Sequence, residues 1–190
     1  MITYLVDHIS KYVPLIPDEI KFLEQHLVFR KVGKKKKIYH PTDTFSENYF
    51  VIEGCLRLYS KDEECKERTI QFAIENWWMF DPRSISLNGT PNFYIDAIEE
   101  TTLIVISRDS WNLLGSRIPA LEHYFRIIFH RAYNASLWRI NHIFCYQGSE
   151  RYYHFTKLFP SFVQRIPQYM LASYLGLTPE FISMIRAKKS

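Results

Sequence analysis

The stretch Met170–Arg186, MLASYLGLTPEFISMIR, decides the fold. Pro167 suits the first turn of a helix, and QYMLASYL follows it with Met170, Leu171, Tyr174 and Leu175 as the residues to be buried. Ala172 is small enough to let a second helix cross closely. Gly176 supplies a turn, Thr178 caps the next helix, Pro179 takes its first position, and Ile182 and Ile185 pack back on the first helix. The small residue, the glycine, the cap and the two β-branched residues fall at mutually consistent spacings. Together they predict a helix-turn-helix.

A unit of this kind lays its second helix in the major groove of duplex DNA. That helix is expected from Pro179 to about Lys189. Thr178 and Pro179 stand at its entry, Glu180 is placed to accept from cytosine N4, and Ser183 to meet a base or a phosphate. Arg186, Lys188 and Lys189 suit phosphates, as do Arg165, Gln168 and Tyr169 at the approach to the first helix. The charge balance agrees with a polyanionic partner. Residues 1–109 carry 14 Lys and Arg against 17 Asp and Glu, whereas residues 110–190 carry 10 against 3.

Upstream, a segment from about Ala120 to Tyr146 contains neither Pro nor Gly and reads as one long helix, preceded by a short one over Ser110–Gly115. Its apolar residues, including Leu121, Phe125, Ile128, Ala132 and Ala135, cover an arc of about 200° on the helical wheel, more than one core face needs. The excess predicts packing on the chain's own core and on a second surface, most simply the same helix of another subunit; burial within one chain is the alternative. Gln147-Gly148 ends this helix, Ser149-Glu150 caps another, and Pro160 stops that one.

Before Asp109 the pattern is different. Ile9, Tyr12 and Val13, then Ile20, Leu23 and Leu27 after the start signal Pro17-Asp18-Glu19, form a helical lead-in. After Gly33 come short β-type runs: KKKIYH, NYFVI, CLRLYS, RTIQFAI, WWMF, FYIDAIEE and TLIVIS. Glu53-Gly54 reads as a tight hairpin turn, and the regular spacing implies an antiparallel sandwich or barrel. Lys34–Lys37 reads as a solvated strand entry. The fold class is therefore α+β in three parts: residues 1–109 form a β-roll with its helical lead-in, 110–146 the short and long helices, and 147–190 the helix-turn-helix.

With 190 residues, 47% hydrophobic and 16% aromatic, the chain can build a dense core without disulfides. Cys55, Cys65 and Cys145 lack metal-binding spacing and suit a reducing, cytoplasmic compartment. The N-terminus has no basic region ahead of its apolar residues, so no secretory signal is expected, and no run approaches the roughly 18 apolar residues of a membrane span. His40, His123, His130, His142 and His154 are scattered, and no metal or cofactor is expected. A cupin-like metalloenzyme would need two or three histidines on inward strand positions, where only His40, near a turn, is on offer. No nucleophile, paired carboxylate or phosphate-binding glycine loop is present, so no catalysis is expected. A ligand-sensing module whose C-terminal helices bind protein is the remaining alternative.

The stretches NYFVIEGCLRLYS and RIPQYMLASYLGLTPEFISMIR, in a chain ordered as β-roll, long helix and helix-turn-helix, resemble the CRP/FNR family of bacterial transcription regulators, and the second stretch resembles its Bacteroidetes-type orphan members. The resemblance covers essentially the whole chain. It implies a cyclic nucleotide-binding-like double-stranded β-helix, a homodimer paired through the long helix, double-stranded DNA as partner, and an effector pocket inside the roll. Cyclic-nucleotide-binding members hold the ribose with Gly-Glu and neutralise the phosphate with an Arg about ten residues later. The matching stretch here, WWMFDPRSISLNGTPNFYIDA, has Phe80-Asp81 and Pro91 at those places. A buried phosphate without a cation is costly, so cAMP is not the expected effector. Trp77, Trp78, Asp81 and Arg83 make the candidate effector pocket for an unknown small molecule, the two tryptophans reading first as core.

Overall fold

The computed structural model describes residues 1–43, 46–81 and 93–188. Among these, eight strands form two antiparallel sheets. The strands are β1 (Val28–Val32), β2 (Lys37–Tyr39), β3 (Glu47–Glu53), β4 (Leu56–Lys61), β5 (Glu67–Ala73), β6 (Trp78–Met79), β7 (Phe93–Ala97) and β8 (Thr101–Ser107). One sheet runs β1-β8-β3-β6 and the other β2-β7-β4-β5. Strand alternation sends Tyr49, Val51, Leu103 and Val105 of the first and Leu56, Leu58, Ile95 and Ala97 of the second into a common interior. The central strand β8 reads TLIVI without polar interruption because both its faces are covered. Leu103 points into the roll, while Ile104 and Ile106 point out beneath helices.

The outer layer on the first sheet comes from α1 (Ile2–Ser10), α2 (Pro17–Gln25), α3 (Arg108–Arg117) and the start of α4 (Pro119–Cys145). Leu5, Ile9, Phe50, Trp78, Leu114, Leu121 and Tyr124 make its buried centre. Pro17 stands in the first turn of α2, as expected, and Pro119 in that of α4, while α3 starts two residues ahead of the expected Ser110, where the Ser107 side chain accepts from Ser110 N–H. No helix among the described residues is long and apolar enough to cross a membrane.

The second sheet is covered by the C-terminal helices α5 (Gly148–Leu158), α6 (Pro160–Arg165), α7 (Gln168–Leu175) and α8 (Pro179–Ala187). Phe72, Cys55 and Ile98 of the roll lie in one apolar cluster with Tyr152, Phe155, Phe162, Met170 and Leu171. The roll and the C-terminal helices thus share a core.

Three expectations change. Glu53-Gly54 does not close a hairpin: β3 pairs with β8 and β6, β4 with β5 and β7, so the turn carries the chain from one sheet to the other. Gly54 has φ +100°, and a Cβ there would come within 2.5 Å of Thr101 Oγ1 and 2.6 Å of Glu100 O. Positive φ and close approach mark a crossover as readily as a hairpin. Strand β1 lies before Gly33, not after it; the consecutive charged residues Arg30 and Lys31, one on each face, break the apolar pattern of this edge strand. Pro160 ends α5 but also opens α6, since a first-turn proline lacks only an N–H that the helix does not use.

Candidate nucleic-acid interface

The C-terminal motif folds as its residues dictate. Gly176 adopts the left-handed conformation, φ 67° and ψ 38°, and Leu177 N–H returns to Ala172 O at 2.9 Å, closing α7. Thr178 Oγ1 accepts Phe181 N–H at 3.2 Å and starts α8 with Pro179 in its first turn. Ala172 is fully buried where the helices cross, and Ile182 and Ile185 face inward with Met170, Leu171 and Leu175.

Two groups of predicted site residues separate here. Gln168 Nε2 donates to Pro179 O at 2.9 Å and to Ser183 Oγ at 2.7 Å, and Ser183 Oγ donates to Pro179 O at 3.0 Å. Gln168, Thr178, Pro179 and Ser183 therefore fix how α7 meets α8. Tyr169, Glu180, Arg186 and Lys188 are exposed, as is Met184 at 45%. Lys189 lies outside the described residues.

Arg165 does not face outward as expected of a phosphate contact. Its guanidinium turns to the roll, meeting Glu75 through two bonds of 2.8 and 2.9 Å, Gly54 O at 3.0 Å, and the Glu99 carboxylate. The turns after β3, β5 and β7 thereby converge on one side chain. A cation among an excess of carboxylates in the first half of the chain finds an ion pair before it finds a phosphate.

Arg139, on α4, is a positioning residue that periodicity missed. It donates to Thr69 O, Ile70 O and Tyr174 O at 3.1, 2.5 and 3.1 Å, and its guanidinium lies 4.2 Å from the Tyr174 ring centre. Ser173 Oγ accepts Thr69 N–H at 2.9 Å and donates to Glu67 O at 3.2 Å. These contacts occupy the open edge of β5 and seat α7 against it. The signal available in sequence was an arginine in line with Leu121 on the apolar arc of the long helix.

The long helix divides along its length. Leu121 is 1% exposed inside the chain's own core, and Phe125 and Ile128 pack against it. This end of the expected arc packs on the chain's own core, because α4 starts directly over β8 and β3. Ala132 and Ala135 are exposed, as are Phe129, Tyr133, Leu137, Ile140 and Phe144. An open depression of about 790 Å³ between α3 and α4 is lined by Trp111, Phe125, Arg126, Phe129, His130 and Tyr133.

The predicted effector residues do not converge. Trp78 is buried, but it points out of the roll toward α4, where its Nε1–H donates to Tyr124 OH at 2.8 Å. Met79 takes the inward position, as strand alternation requires. Trp77 is 44% exposed and joins neither core. Asp81 is buried and accepts from Ser46 Oγ, while its N–H donates to Asn48 Oδ1 at 3.0 Å. Arg83 and Pro91 lie outside the described residues.

No family model and no curated protein matches the sequence. Solved structures do. The c-di-GMP-responsive global regulator CLP of Xanthomonas campestris superposes with a TM-score of 0.73 at 12% identity, covering 91% of each chain. FixK2 of Bradyrhizobium japonicum gives 0.68 at 15%, covering 85% of this chain and 83% of its own. A candidate transcriptional regulator of the crp/fnr family from Eubacterium rectale gives 0.69 at 17%, covering 90% and 82%. At such identities the likeness establishes the fold: a cyclic nucleotide-binding-type β-roll followed by C-terminal helices, as in the CRP/FNR regulators.

Proposed function

We propose that this chain is a cytoplasmic DNA-binding transcription regulator of the CRP/FNR type, acting as a homodimer and not responding to cAMP. The observation that carries the reading is the state of α8. It crosses α7 on a left-handed glycine, is capped by Thr178, and keeps its outward face open while α7 and Arg165 anchor the unit to the roll. Arg186 and Lys188 suit the phosphate backbone, and Glu180 the base edges. Tyr169 stands at the entrance to α7, where a helix-turn-helix crosses the backbone.

Pairing of two copies follows from α4. Tyr133, Leu137, Ile140 and Phe144 recur every three or four residues on its outer side, the spacing of a coiled-coil seam; Ala132 and Ala135, though exposed, lie off this row. An exposed row of this size on a 27-residue helix calls for a partner helix. Two-fold pairing would present two copies of α8 to a two-fold-related site. A bound molecule or partner on the roll would act by biasing the orientation of α8.

The test is retention of genomic duplex fragments by the purified chain across a salt series. Binding that weakens as salt rises supports the reading, and no retention at low salt overturns it. Calorimetric titration with cAMP should give no binding heat.

A further inference from the structure

We propose that α8 reads its site through thymine methyl groups and not through guanine, with Met184 as the residue that sets this preference. The inference rests on the reading of α7 and α8 as a duplex-binding unit. It comes from what the outward face of α8 carries. Ile182 and Ile185 mark the buried side, and at about 100° per residue the opposite side is occupied by Glu180, Ser183, Met184 and Ala187. All four are exposed, Met184 by 45%.

That surface is poor in donors. Guanine presents only acceptors, N7 and O6, to the major groove, and is recognised by the paired N–H groups of Arg or Lys. None of the four residues is basic. The Ser183 hydroxyl is already engaged, donating to Pro179 O and accepting from Gln168 Nε2. Arg186 and Lys188 flank the face at the end of the helix, near Ala187, where backbone contact is the more natural role.

What remains is apolar contact and one carboxylate. The thymine C5 methyl is the apolar feature of the major groove, and the Met184 thioether is unbranched and adaptable enough to cover it. Glu180 would repel phosphate, and among base edges it is complementary only to the amino groups of cytosine or adenine. The two residues are four apart, a rise of about 6 Å along the helix and a little less than two base steps. Each half-site should therefore carry a thymine about two steps from an amino-bearing base, with no guanine N7 or O6 contacted by α8.

The test is selection from random duplexes with the full chain, followed by replacement of each selected thymine by deoxyuridine, which removes only the methyl group. The expected result is a thymine at a constant place in each half-site and a loss of about three- to fivefold on its replacement. Met184→Ala should cost about the same and abolish the difference between thymine and deoxyuridine. A loss of affinity on replacing a guanine beneath α8 by 7-deazaguanine, or equal affinity for the two pyrimidines, overturns the proposal and leaves duplex binding standing. If no duplex is retained at low salt, the duplex-binding reading falls and this inference with it; a protein captured by the same surface would then be the alternative.

Discussion

Arg165 meets Glu75 edge to edge, Nη1 to Oε2 at 2.9 Å and Nη2 to Oε1 at 2.8 Å, and this fork joins the end of α6 to the turn after β5. Glu75 Oε1 also accepts Gly54 N–H at 2.9 Å, so the ion pair ties a sheet-to-sheet crossover to the helix-turn-helix. Both side chains are about a third exposed, 31% and 34%, and water screens part of the attraction. Arg165→Ala should cost about 1–2 kcal/mol in denaturant unfolding, with a coupling to Glu75→Gln in a double-mutant cycle. Faster amide exchange at Gly54 and Thr69 would show that the seam itself loosens.

The Tyr124 hydroxyl ties α4 to both α1 and β6. Trp78 Nε1–H donates to the Tyr124 oxygen, and the same hydroxyl is hydrogen-bonded to His8 Nδ1, 2.8 Å away. Burial, with the nearby charges of Lys11 and Arg131, lowers the His8 pKa from 6.5 to about 4. Between those values the unfolded chain binds a proton that the folded chain refuses. Stability should therefore fall as pH drops from about 6.5 to about 4, by up to about 3 kcal/mol, and His8→Phe should flatten that part of the curve. Unfolding free energies at a series of pH values measure both.

The hydroxyl itself is testable. Tyr124→Phe leaves the buried Trp78 N–H and His8 Nδ1 without their partner, and a loss of about 1–3 kcal/mol is expected in equilibrium unfolding.

Two glycines with positive φ should respond differently. At Gly54 a Cβ meets Thr101 Oγ1 at 2.5 Å in addition to backbone strain, so Gly54→Ala should lower stability by more than about 2 kcal/mol. At Gly176 a Cβ would have Arg151 Nη1 3.4 Å away, an ordinary contact at the far end of a flexible side chain, and Gly176→Asn should cost less than about 1 kcal/mol because asparagine tolerates this conformation. Thermal unfolding of the two variants distinguishes them.

Pairing through α4 predicts that Tyr133→Glu with Leu137→Glu yields monomers in sedimentation, with little change in the unfolding of each chain, since both residues are exposed in it. Weaker duplex binding should accompany the change, because two linked copies of α8 bind far more tightly than one. A sedimentation profile identical to that of the unaltered chain counts against the seam.

The helix-turn-helix was legible in sequence because its determinants are local. A glycine able to adopt positive φ, a threonine cap and residues spaced by three and four constrain the backbone within 17 residues, whatever the rest of the chain does. The strands after Gly33 were legible for the same reason, their period of two being a property of each strand alone. What tertiary structure alone decided was which surfaces meet. Period two assigns Trp78 and Met79 to opposite faces but cannot say which face is the roll interior, and a glycine turn does not say whether its strands share a sheet. Arg165 and Gly54 are 111 positions apart, and Arg139 and Thr69 are 70 apart. A guanidinium takes the acceptors that collapse brings to it, and those depend on the packing of distant elements, which neighbouring residues in the chain do not encode.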